Sequence, residues 1–249
     1  MYTIHGLMMI TLLLVSPVRA ENSARIFTED FAPFGYIENG HLTGIGPDIV
    51  TAMSKALTAR GAQIEVLPWK RAYITVLNEK NTALFSMSRI KEREDLFKWV
   101  GPLYSMQSYL FGYKDYSLKL NSLNDARKVE SLLVQDGGAT ETQLLALGFN
   151  NLVAMNNIDK QVAMLTAKRV ELIEATDVAV AYQLQKLGLP LSEVKPVLKL
   201  NRADFYLAFS RNTDDEVIEK WRNALKLIHE NGTWRQITAK YLPNFDLWQ

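Results

Sequence analysis

The feature that most narrows what this chain can fold into is an alternation of period, laid down twice. In the first half, apolar runs of strand length at residues 24–28, 63–67 and 82–87 are interleaved with helical spacing from Pro47 to about Arg60 and from Arg71 to Glu79. In the second half, strand-like runs at 131–135, 152–155 and 170–173 are interleaved with helical stretches at 139–147, 160–167 and 178–187, and a last strand follows at 205–209. Strand and helix in strict alternation predict a parallel sheet with crossover helices, and two copies predict two α/β lobes. Ligands of open α/β sheets lie beyond the carboxyl ends of the strands, so two facing lobes place the site in the cleft between them. The YLFGY segment at 109–113 carries the chain across, and residues 200–209 bring it back. No Gly/Ser or Pro linker separates the halves, so these connections are hinge strands. The expected division is 21–110 with 206–249 in lobe 1 and 111–205 in lobe 2, the tail adding helices over 214–228 and 232–241.

The first twenty residues, MYTIHGLMMITLLLVSPVRA, stand apart: an apolar stretch from Leu7 to Val15, then Ser16-Pro17, then small residues at Val18 and Ala20. This is the plan of a cleavable secretory signal, residues 1–20, and the stretch is too short for the roughly 20 apolar residues that cross a bilayer. Removing it takes away Arg19 and no acid, so 28 Lys plus Arg become 27 against 27 Asp plus Glu. A formally neutral mature chain gives no basic patch for nucleic acid or an anionic membrane. There is no cysteine, hence no lipid-anchoring cysteine, no thiolate metal site and no disulfide; in an exported chain of this size that fits a periplasm, where a good core needs no staples. Three scattered histidines, His5, His41 and His229, make a poor zinc constellation, and neither a metal nor a cofactor is expected.

Three stretches carry a resemblance. The opening FTEDFAPFGYIENGHLTGIGPDIV has an aromatic before Pro33-Phe34 and glycines running into Asp48; SMSRIKERE leads to WVGPLY; and ALKLIHENGTWRQITAKYLP closes the chain as a helix pair around a Gly. In this order and spacing the chain resembles the family 3 extracellular solute-binding proteins, the periplasmic polar amino-acid-binding components of ABC importers, over essentially the whole mature sequence. The resemblance implies a two-lobed periplasmic binding protein fold of type II, closing like a clamshell on a small amino-acid-like ligand, monomeric, and working with an ABC permease of the inner membrane. It also implies roles. Arg93 would grip the ligand carboxylate, Ser86 and Ser88 would hydrogen-bond its polar atoms, and Phe31 would stack on its side chain. The helix start at Gly138, Ala139 and Thr140 would meet the carboxylate, and an acid after the strand near Ile173 would take the amine.

The residues bear on these roles separately. A planar guanidinium suits a carboxylate in a drained cleft, although Arg93 is equally flanked by Glu92, Glu94 and Asp95 as on a solvated helix. Arg89 departs from the family and either faces a second acidic group on the ligand or pairs with a neighbour such as Glu94. Trp69, at a strand end, would wall the cleft, and Arg71 beside it raises the same alternatives of inward or solvated. Gly137-Gly138 frees amides at a helix start, where the dipole favours an anion. Of Glu174, Thr176 and Asp177, Asp177 is preferred for the amine, with a helix N-cap as its alternative role; Asp48 is expected to cap the first helix. No nucleophile-base pair or nucleotide loop is present, so no catalytic residue is assigned. Two other functions remain on this fold: a dehydratase acting on cyclohexadienyl acids, with Glu174 as proton donor, and a sensor working with a membrane receptor.

Overall fold

The computed structural model describes residues 24–58, 61–242 and 248, so the expected leader lies outside the described residues. Ten strands follow in chain order: β1 (Arg25–Thr28), β2 (Tyr36–Glu38), β3 (His41–Thr43), β4 (Ile64–Val66), β5 (Thr82–Ser88), β6 (Phe97–Tyr113), β7 (Leu132–Val134), β8 (Leu152–Ala154), β9 (Leu172–Thr176) and β10 (Val194–Ser210). The helices are α1 (Ile45–Leu57), α2 (Trp69–Asn78), α3 (Ala139–Ala146), α4 (Ile158–Thr166), α5 (Asp177–Lys186), α6 (Asp215–Glu230) and α7 (Thr233–Tyr241). Eight strands form one continuous ladder in the order β4-β1-β5-β10-β6-β9-β7-β8. β1 is parallel to β4 and β5, and β7 is parallel to β8 and β9, so each half has its own parallel block, as the alternation predicted.

The blocks are joined by β6 and β10, antiparallel to each other and 17 residues long each. The sequence shows only their ends as strands. Both carry prolines, at Pro102 and Pro196, and register shifts absorb them, between Phe205 and Leu207 and between Pro196 and Leu198. A third shift, between Lys199 and Arg202, sets Leu200 and Asn201 opposite the single residue Ser108. The Gln107 amide ties it down, donating to the carbonyls of Leu200 at 2.7 Å and Ser108 at 3.0 Å. This bulge bends the long pair where the chain passes between the halves.

The punctuated region before α1 is a hairpin, β2 with β3, turned on Asn39 and Gly40, both at positive φ as a tight two-residue turn requires. Gly44 caps α1 at φ 123°, where a Cβ would lie 2.5 Å from the Phe34 carbonyl oxygen. Asp48 therefore does not cap the helix. Its carboxylate accepts from the Tyr241 hydroxyl at 2.6 Å and Lys240 Nζ at 3.1 Å, fastening α7 to α1. Phe34, Phe85, Phe111 and Phe209 are fully buried along the sheet, each contributing about 1.5–3 kcal/mol by leaving water. Among the described residues no helix is long and apolar enough to cross a membrane.

Candidate functional site

The carboxyl ends of both parallel blocks point at a cavity of about 80 Å³ between the halves. Phe31, from the loop after β1, and Phe205, on β10, supply its aromatic wall. Ser88 ends β5, Ser108 sits at the bulge on β6, and Gly138, Ala139 and Thr140 are the cap and first turn of α3. The amides of Gln135, Asn156 and Gln161 complete a polar lining.

Among the described residues, Glu174 is the one ionisable group on that lining, which contains no Lys, Arg or His. Its side chain is half-buried and its carboxyl is poorly hydrated. That desolvation pushes its pKa up to about 7, against the opposing pull of hydrogen bonds from Thr140 and Ser108. The cavity therefore holds one acid with hydroxyl donors and no cation, an arrangement that accepts an ammonium group.

A second acid was not legible as a site residue. Glu29, 8% exposed, follows β1, and both its carboxylate oxygens accept from the Gln135 amide, at 2.8 and 3.0 Å. Burial raises its pKa to about 7, with Gln135 opposing and the Asp30 charge adding to the rise. Thr28-Glu29-Asp30 looks like a polar turn in the sequence, and the partner is 106 residues away.

Beside the cavity runs a seam centred on Gly137. Arg93 is 3% exposed and sits in a short 3-10 turn, Lys91–Arg93, not on a solvated helix. Its guanidinium donates to the Gly137 carbonyl at 2.9 Å and the Ser88 carbonyl at 3.3 Å, and lies 5.5 Å from the Trp69 ring centre and 5.3 Å from that of Tyr73. Burial lowers its pKa, and Tyr73 opposes the shift. The Trp69 indole donates to the same Gly137 carbonyl at 2.9 Å, and Lys70 pairs with Asp136 at 2.6 Å. Arg93 and Trp69 thus face the gap between the halves but line a neighbouring cavity of about 340 Å³, not the one that holds Glu174.

The other expected residues divide. Phe31, Ser88, Gly138, Ala139, Thr140 and Glu174 come together in the cavity. Ser86 turns inward at φ 62° and its hydroxyl is 2.6 Å from that of Tyr104, away from the cavity. Arg89 pairs with Glu94, its Nε donating at 2.7 Å, and its guanidinium lies near the Trp99 and Tyr206 rings on an exposed rim. Arg71 is exposed on α2. Asp177 lies outside the cavity lining and does not cap α5; Thr176 does, accepting from Ala179 N–H at 3.4 Å, while Asp177 accepts from Val178 N–H at 2.8 Å. The reason is strand length. β9 runs to Thr176, beyond the Ile173 expected from sequence, so Glu174 is a strand residue sharing the face of Thr176 toward the cleft.

The family model of the bacterial extracellular solute-binding proteins, family 3, matches residues 25–244. Among solved structures, a histidine kinase sensor domain similar to periplasmic binding proteins has 18% identity and a TM-score of 0.78, over 88% of this chain and 96% of that one. An ancestral arginine-binding protein bound to arginine has 22% identity and a TM-score of 0.75, over 89% and 99%. The substrate-binding protein of an ABC uptake transporter from Streptococcus pneumoniae, with bound histidine, has 15% identity and a TM-score of 0.77, over 89% and 92%. At these identities the likeness is one of fold. A comparison with curated proteins gives no match.

Proposed function

For a chain that belongs to the bacterial extracellular solute-binding proteins, family 3, we propose reversible capture of a small polar amine-bearing solute, an amino acid or a related zwitterion, between the two lobes. The observation that carries this reading is Glu174, an acid set between Ser108 and Thr140 in a cavity without a cation. An ammonium group supplies the missing charge, and in a site drained by closure such a pair is worth more than in water. Phe31 and Phe205 cover the solute's carbon skeleton, and the amides at the start of α3 take its carboxylate. Arg93 serves closure, by binding the Gly137 carbonyl of the opposite lobe. A solute that touches both lobes favours the shut form over the open one, and the shut form is what an ABC permease would take up in the periplasm.

The test is calorimetry and thermal unfolding across amino acids, polyamines and dicarboxylates, on the wild type and Glu174→Gln. Amines raise the melting point by several degrees at concentrations far above their Kd, and Glu174→Gln removes the rise. Stabilisation by dicarboxylates with none by amines overturns the reading. Co-purification from solubilised membranes separates a permease partner from a sensory receptor.

A further inference from the structure

We infer that the solute is an elongated amine, whose ammonium end sits at Glu174 and whose chain runs out into a second chamber, so that a compact α-amino acid fills only part of the site. The inference rests on the amine-capture reading and extends it to a substrate class. Small-molecule sites enclose about 300–1,000 Å³, and the Glu174 cavity alone, at about 80 Å³, is well below that. The adjoining chamber is about 580 Å³. The two share Ser88, Ser108, Ala139, Thr140 and Ala203 as wall residues. All five side chains are small, so the partition between the chambers is low.

The outer chamber exists because of the bulge. The one extra residue in the Leu200-Asn201 pair opposite Ser108 turns β10 so that residues 200–204 form one of its sides, facing the flank of α3. Its lining suits a methylene chain: Ile90, Leu123 and Leu200 are half-buried, and Leu147 is 57% exposed. At its rim Arg202 and Asp204, two residues apart on one strand, form no ion pair among the described residues, and Arg202 reaches only the Ser105 carbonyl, at 3.5 Å. Charged groups of both signs line this chamber, Arg202 and Asp204 together with Glu92 and with Arg89, which is paired with Glu94, and they match a polar or zwitterionic far end. The class is therefore an amine, several methylenes and a polar terminus, as in ω-amino acids, α,ω-diamines or a basic amino acid entering amine first.

Calorimetry with ω-amino acids of increasing chain length, and alanine and serine as compact references, decides the matter. Affinity is expected to rise about fourfold for each added methylene until the chamber is filled. The ratio of long-chain to short-chain affinity falls toward one in Ala203→Leu, which raises the partition, and falls in part in Leu147→Asn, an exposed position that the fold tolerates. Flat affinity along the series in a wild type whose binding is still abolished by Glu174→Gln overturns the elongated-ligand inference and leaves amine capture standing. If no member of the series and no compact amino acid binds, the capture reading fails, and the inference with it.

Discussion

Two clusters that meet on the same loop treat charge in opposite ways. At Gly137 every cation is engaged: Arg93 and Trp69 donate to its carbonyl and Lys70 is paired with Asp136. Three residues on, Thr140 faces Glu174, an acid held by hydroxyls with no cation on its cavity wall. The difference teaches that residue type alone does not mark a recognition site. A guanidinium whose donors already meet carbonyls and aromatic faces holds two bodies together, whereas a carboxyl left without a counter-charge has capacity for a ligand.

Replacing Glu174 by Gln gives the largest effect expected of that contrast. Truncating one member of a buried charge pair costs about 2–5 kcal/mol, so amine affinity falls at least about thirtyfold by calorimetry. Arg93→Ala comes next, through stability: it empties a packed position and removes one donor each from the Ser88 and Gly137 carbonyls, the latter keeping Trp69, lowering unfolding free energy by about 3 kcal/mol in urea titrations, with a smaller change in affinity. If Arg93→Ala keeps its stability and loses ligand instead, the contrast between seam and cavity is broken.

The pH dependence sharpens the comparison further. Glu29 and Glu174 both have native pKa values pushed up to about 7 from 4.5. Below about pH 4.5 both are protonated, folded or unfolded, and cost nothing. Between 4.5 and 7 the unfolded chain ionises first, so stability falls as pH rises, and the loss is complete above about 7. The unfolding free energy of the ligand-free protein should drop between pH 5 and 8, by an amount on the order of 2 kcal/mol for each acid, read from urea titrations across that range, and Glu29→Gln should halve the slope. Amine binding has the opposite sign, weakening as Glu174 takes up its proton below pH 7. Smallest is Arg89→Ala. Its pair with Glu94 is on an exposed rim, so stability changes by less than about 1 kcal/mol and the affinity of short amines is unmoved.

The parallel blocks and most helices were legible because their signals are local. The strand extension that carries Glu174 was not, because residues 174–176 owe their strand state to pairing with β6, and Leu110 opposite Glu174 is far along the chain. The same holds for the bulge and the lengths of β6 and β10, since a proline in an antiparallel ladder is tolerated only if the partner strand shifts to admit it. Ser86 was expected at the ligand only through the family resemblance; in the structure its hydroxyl lies 2.6 Å from that of Tyr104, 18 residues away.

What the sequence determined by itself was periodicity, and with it two α/β halves joined by strands and a family membership written in its spacings, since period and spacing depend on neighbours along the chain. Which charges are engaged and which remain for a solute was decided only by the tertiary structure. Burial and pairing depend on groups brought together from far apart, as Gln135 is brought to Glu29 and Gly137 to Arg93, and a side chain's chemistry follows its surroundings in space.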